Sequence, residues 1–218
     1  MIKFSSNANT DFLIEKLGAD SINDVITDLE LENHDPVYPI VSALLTSTYL
    51  KQQNDWSNDE IKAHLQSMSM DGYRSLVWEI HDKIKQGGQE FNTGQFSFPK
   101  DLQRIWSDRL PNATTEDYAK IMQAISNNEA TIPGGDKILR EIMEWPMELY
   151  ESNREMYAHF GAKGGSTAFV LNQALYVEDH NGKKIEVVIF TEGLSFIEQI
   201  KMNRSMNSFL IKVLNEHL

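Results

Sequence analysis

The chain has 218 residues, no cysteine, and a net charge of −12 from 20 basic and 32 acidic side chains. Disulfides, thiolate nucleophiles, iron–sulfur clusters and thiolate zinc sites are therefore excluded, and the acidic balance repels phosphate backbones and anionic lipid. No apolar run approaches the ~20 residues that a membrane-spanning helix needs, so neither a nucleic-acid partner nor a membrane span is expected. With 41% hydrophobic and 24% charged residues the composition is globular. A chain of this size buries roughly 70% of its unfolded surface without needing a metal or a disulfide. The start, Met1 to Asn7, lacks the apolar core of a signal peptide, so none is expected and the compartment stays open.

Helical punctuation comes first. Phe12, Leu13, Ile14 and Leu17 predict a helix over 10–17, closed by Gly18. Ser21 opens a second, in which Ile22, Val25, Ile26 and Leu29 form one apolar stripe expected to be buried. The run 32–36 reads as a loop, and 40–50 as a third helix. Ser57 or Asn58 caps a helix through Ser67, and 70–85 is another. From Gly87-Gly88 to Pro99 turn residues dominate and an irregular excursion is expected. Thr114 with Asp117 forms a capping box for a helix that presents Tyr118, Ile121, Met122 and Ile125 on one face. Pro133-Gly134-Gly135 is a turn, and 136–145 a helix with Ile138, Leu139 and Ile142 expected inward. The period then changes. Segments 167–177 and 184–191 are rich in β-branched and aromatic residues, and His180-Asn181-Gly182 between them is a hairpin signal. A strand over 157–163 precedes them. Met206, Phe209, Leu210, Val213 and Leu214 give an amphipathic C-terminal helix. Helices, then an antiparallel hairpin, then one helix define an α+β fold: a helical subdomain over 1–156, and a sheet with its C-terminal helix over 157–218.

The six histidines show no metal-ligand spacing, and no glycine-rich loop follows a strand, so neither a metal nor a cofactor is expected. Two segments stand apart. The first is Ser5-Ser6-Asn7, followed by a helix ending in Leu17-Gly18. The second is Lys163-Gly164-Gly165-Ser166-Thr167. Each has a bland explanation when taken alone: a helix cap for the first, a turn or a close backbone approach within a strand for the second.

Together and in this order they resemble the penicillin-recognising serine hydrolases, the β-lactamases and D-Ala-D-Ala peptidases, which carry Ser-x-x-Lys, Ser-Asp-Asn and Lys-Thr-Gly in turn. Ser5-Ser6-Asn7 is similar to the second element, with Ser6 in place of Asp. Lys163-Gly164-Gly165 is similar to the third, with Gly164 in place of Thr or Ser. The run from Asn112 to Ala119 resembles the Thr-rich helix start that precedes the third element, and the strands and helix that follow match the closing βββα arrangement. The resemblance covers about 1–50 and 108–218, and 51–107 looks like an insertion. It implies a β-lactamase/transpeptidase-like fold and a serine hydrolase acting on a β-lactam, a D-Ala peptide or an ester.

The resemblance also implies roles. Ser5 passes a proton to the leaving nitrogen, and Asn7 hydrogen-bonds the substrate amide. Lys163 places positive charge near the substrate carboxylate. Gly165, Ser166 and Thr167 let substrate lie along the strand edge, with the Ser166 N–H as an oxyanion donor. The nucleophile element belongs upstream of Ser5, where only four residues stand. Ser97-Phe98-Pro99-Lys100 contains proline and does not suit a helical nucleophile. The family's loop glutamate motif is also missing. The expectation is thus a truncated or split form, inactive alone. Its open sheet edge is expected to be covered by an N-terminal segment or a second copy, and its partner is a small-molecule or cell-wall peptide substrate. The alternatives are a non-catalytic binder of peptide or cell-wall fragments on the same fold, and a helical interaction domain with chance motif matches. The family is usually exported.

Overall fold

A computed structural model describes residues 1–87, 99–129 and 135–218. The expected excursion after Gly87, Ser97-Phe98, and the turn at Pro133-Gly134 lie outside the described residues. These form two compact units, Ser6–Asp28 with Asp35–Asn112, and Met1–Ser5 with Leu29–His34 and Ala113–Leu218. No described helix is long and apolar enough to cross a membrane.

The first unit is helical: α1 (Asn7–Leu17), α2 (Ala19–Asp28), α3 (Ile40–Leu44), α4 (Thr46–Asn54), α5 (Asn58–Ser67), α6 (Met70–Lys85) and α7 (Lys100–Asp108). Ser57 and Glu60 close a reciprocal capping box on α5, and Ser69 Oγ accepts from the Gly72 N–H to open α6. The core joins Tyr38, Leu50, Ile61, Leu65, Tyr73, Val77, Leu102 and Ile105. The buried Asp11 carboxylate accepts from the backbone N–H groups of Ile40 (2.7 Å), Val41 (2.9 Å) and Ser42 (3.4 Å), and so ties α1 to the start of α3. Pro39 precedes α3 and supplies no side-chain cap, so Asp11 does that work from 29 residues upstream.

Three expectations are corrected here. The helix expected over 40–50 is two helices broken at Leu45. The second helix begins at Ala19, not Ser21. The stripe of α2 is not a buried face: no residue of α2 is buried and Val25 is 50% exposed. Periodicity marks an apolar face, but only a neighbouring element buries it.

The second unit holds α8 (Thr115–Ser126), α9 (Gly135–Met143), α10 (Trp145–Leu149), α11 (Glu151–Met156), strands β1 (His159–Ser166), β2 (Leu171–Glu178) and β3 (Lys184–Ile189), and α12 (Phe196–His217). The architecture is α+β. The strands form an antiparallel sheet in the order β1-β2-β3, with Lys163 opposite Ala174 and Glu178 opposite Lys184. Four consecutive residues of β2, Ala174 to Val177, are buried, because both faces of the sheet are covered. Leu175 and Val177 pack against Met206, Leu210 and Leu214 of α12. Ala174 and Tyr176 pack against Met122 of α8 and Met143 of α9. The β2–β3 hairpin turns at Asn181-Gly182, where Gly182 has φ +83° and the Asp179 carboxylate accepts from the N–H groups of Asn181 and Lys183, each at 2.8 Å.

Two further readings are corrected. Ile138, Leu139 and Ile142 do not point inward: they are 58%, 39% and 45% exposed, and Met143 is the buried side chain of α9. On α12 the buried line is Met206, Leu210 and Leu214, while Phe209 is 52% exposed on its flank. The strands also differ at their ends. β1 runs on to Ser166, and residues expected to start the next strand form the turn before Leu171.

Thr114 accepts from the Asp117 N–H and Asp117 returns a bond to the Thr114 N–H. Thr114→Ala should therefore cost about 0.5–2 kcal/mol in urea unfolding, with no change of fold by circular dichroism. Burial raises the carboxyl pKa of Glu186 on β3 above its ordinary value. An acid whose folded pKa is raised contributes most below its unfolded pKa and loses that contribution as pH rises through the folded value. Glu186→Gln should thus raise the melting temperature near pH 7, and the gain should vanish below about pH 4.

Candidate active site

The lysine that the sequence singles out sits in the middle of β1, on an edge of the sheet. In an antiparallel ladder, alternate residues turn their N–H and C=O toward the partner strand. Thr167 N–H donates to Val170 O at 3.1 Å in register with the ladder, while Leu171 N–H turns the other way, to Thr191 Oγ1. Lys163 and Gly165 therefore bond to β2, and the main-chain groups of Ala162, Gly164 and Ser166 face the outer edge. Two outer carbonyls are already engaged: Ala162 O by the Trp145 indole N–H at 2.9 Å, and Gly164 O by the Lys163 ammonium itself. Among the described residues, the edge left open runs along the amides of Gly164 and Ser166.

The glycines differ in what requires them. A Cβ on Gly161 would meet the Tyr176 ring at 2.3 Å, and one on Gly164 would meet Gln173 Oε1 at 2.0 Å. At Gly165 nothing lies within 4 Å, and both Gly165 and Ser166 are exposed. Close packing against the Tyr176 ring explains the first; at Gly164 the end of the Gln173 side chain could move, but Asn172 O at 3.2 Å keeps the position tight; among the described residues no contact asks for the third. Gly164 stands where the resembled family has Thr or Ser, and the space its side chain would fill is taken by Gln173.

Lys163 is half-buried, and burial holds its ammonium below the ordinary lysine value. Its Nζ donates to Ser5 Oγ at 2.8 Å, joining two residues 158 positions apart. The local fold places Ser5 there. Ile2 packs against the cluster of Met122, Met143, Ala174 and Tyr176, and Lys3 pairs with Glu148 at 2.5 Å. Ser5 N–H then donates back to Ile2 O, closing a turn in which Ser5 has φ +50°. A non-glycine residue in left-handed backbone is uncommon, and such residues cluster at functional sites. The Ser5 side chain is exposed, so the hydroxyl can be reached.

The remaining expected residues fall as follows. Ser6 is the N-cap of α1, its Oγ accepting from Asn9 N–H at 3.3 Å, and Asn7 is the first residue of that helix, in the helical unit. Ser166 ends β1 with its amide outward. Thr167 is committed to the β1–β2 turn: its N–H bonds to Val170 O, its Oγ1 accepts from Phe169 N–H at 3.1 Å, and its carbonyl accepts from the Gln199 carboxamide of α12. Sequence reasoning overlooked Trp145, which bounds the open edge at Ala162, and Gln199, which ties α12 to the β1–β2 turn at Thr167. Neither lies in a motif, and no local pattern could have marked them. Chemically, the arrangement can move a proton between Ser5 Oγ and Lys163 Nζ, and can receive an extended backbone on the outer edge of β1.

No family model matches the sequence, and no curated protein is similar to it. Among solved structures, the chain is similar to a β-lactamase from Sphaerobacter thermophilus DSM 20745, with 19% identity and a TM-score of 0.47 over 87% of this chain and 51% of that one. The chain thus spans about half the length of that structure.

The two strand glycines should separate on substitution. Gly161→Ala should lower stability by about 1–3 kcal/mol through overpacking against Tyr176. Gly165→Ala should leave the melting temperature nearly unchanged.

Proposed function

We propose that the chain is a β-lactamase-like acyl-recognition protein of the serine hydrolase class, supplying the site that binds a β-lactam, D-Ala peptide or ester and moves its proton. The observation that carries this reading is the Ser5–Lys163 hydrogen bond. The two segments that resemble the family's second and third elements are far apart in sequence, and their serine and lysine meet. In this reading Lys163 holds the substrate carboxylate, and Ser5 hands a proton to the leaving nitrogen. The amides on the outer edge of β1 take the substrate backbone as an added strand, with Ser166 N–H near the acyl oxygen. Gly165 leaves the space for that approach. In this reading the outer edge of β3 takes a further strand in the working assembly, since an edge strand presents unpaired main-chain groups and β3, Lys184 to Ile189, holds no proline.

A second reading, a non-catalytic binder of cell-wall peptides on the same edge, draws on the exposure of Gly165 and Ser166, which serve binding whether or not chemistry follows. Both readings require a carboxylate ligand held at Lys163. Calorimetry with an acyl-D-Ala-D-Ala peptide and with a penicillin should give binding at millimolar concentration or tighter. Lys163→Ala should weaken it roughly tenfold or more, the loss of a charge-assisted hydrogen bond of about 1.5–3 kcal/mol. No binding at millimolar ligand, or equal binding by Lys163→Ala, would overturn the proposal.

A further inference from the structure

We propose that Ser5 and Lys163 form a self-sufficient Ser–Lys dyad, in which Ser5 is itself an acyl-accepting nucleophile and Lys163 its general base. This rests on the site reading above and goes beyond it: toward an ester that carries no carboxylate, Lys163 acts in its neutral form as a base, in place of holding a carboxylate as a cation, and Ser5 is acylated, where above it only relays a proton.

Three observations support it independently of any motif. The 2.8 Å separation lies within the reach required between a nucleophile and its base. The lysine is oriented by a second bond to Gly164 O, so that one of its three donor positions is fixed while another faces Ser5. The serine is presented on a tight turn with φ +50° and an exposed side chain, an arrangement that projects a hydroxyl away from the chain that carries it. Lysine serves as a base only when neutral, and the partial burial of Lys163 raises the neutral fraction. The groups around the pair fit this role. Ala162 and Gly164 flank the lysine on β1 and bring no charge, and the residue opposite it is Ala174.

With an activated ester such as p-nitrophenyl acetate, the step balances without a co-reactant. A bond forms between Ser5 Oγ and the acyl carbon. The ester C–O bond breaks and p-nitrophenolate leaves with the electron pair. The Ser5 proton passes to Lys163 Nζ, which later returns it to solvent. Water then cleaves the acetyl-serine in a slower step: Lys163 Nζ takes the water's proton, the bond between Ser5 Oγ and the acyl carbon breaks, acetate leaves, and the proton returns to Ser5 Oγ.

The test uses the whole chain. Incubation with p-nitrophenyl acetate, followed by digestion and mass mapping, should place one hydroxylamine-sensitive acetyl group on the peptide that contains Ser5. The rate should rise with pH as Lys163 loses its proton, with its midpoint below the ordinary lysine pKa of 10.5. Ser5→Ala should abolish that adduct. Lys163→Arg, which keeps the charge but cannot act as base, should slow it by roughly 10²–10⁴-fold. An acetyl group on Lys163 Nζ, a hydroxylamine-stable adduct, or an unchanged rate in Lys163→Arg would overturn the dyad. Mapping of the unmodified sequence does not depend on a variant folding. Peptide binding without a Ser5 adduct would sink the dyad and leave the site reading standing, whereas loss of both would sink both.

Discussion

A strand buried on both faces cannot stand without cover, and β2 imposes that constraint on the whole sheet-bearing unit. Ala174, Leu175, Tyr176 and Val177 alternate between two apolar layers, so α12 must lie on one face while α8 and α9 lie on the other. The strand's antiparallel partners follow from the same demand. β3 is joined to it by a short Asn-Gly hairpin, and β1 is held in register over eight residue pairs. Once β2 is fixed at the centre, β1 is an edge, and Lys163-Gly164-Gly165 is displayed there. The lower layer also reaches the N-terminus. Ile2 joins the cluster beneath Ala174 and Tyr176, and that contact carries Ser5 to Lys163.

The site is thus a by-product of how one face of the sheet is covered. A hydroxyl and an amine with little charge around them meet where the main chain is partly unpaired. Partial burial weakens the ammonium's hold on its proton without removing the group from reach. The glycines divide the labour. Gly161 and Gly164 make room for neighbours inside the sheet, whereas Gly165 leaves room outside it. Trp145 marks one limit of the open edge by occupying the Ala162 carbonyl, and Gln199 ties α12 to the turn that ends β1.

Much of the fold was legible because the signals are short-ranged. The boundaries of α5, α6 and α8 follow from hydroxyl side chains that accept from N–H groups three residues on, and the hairpin follows from a glycine that tolerates positive φ. Errors arose where a local pattern needs a distant partner. The stripes on α2 and α9 have the correct period, yet Val25 and Ile138 remain exposed, because periodicity says which residues share a face and not what covers it. The break at Leu45 had no breaker residue to announce it, and the carboxylate that starts α3 comes from α1.

The candidate site divides along the same line. The sequence by itself determined the residue types and their order: a serine–asparagine pair before a helix, a lysine with two glycines in a strand, no cysteine, and a strongly acidic balance. Only the tertiary structure decided that Ser5 and Lys163 touch, that Lys163 is partly buried, that Thr167 is spent on a turn, and that the Ser166 amide faces outward. The reason is physical. Capping and turn bonds span a few residues and are written in adjacent side chains, whereas a contact across 158 positions exists only after strand register and layer packing have brought its ends together.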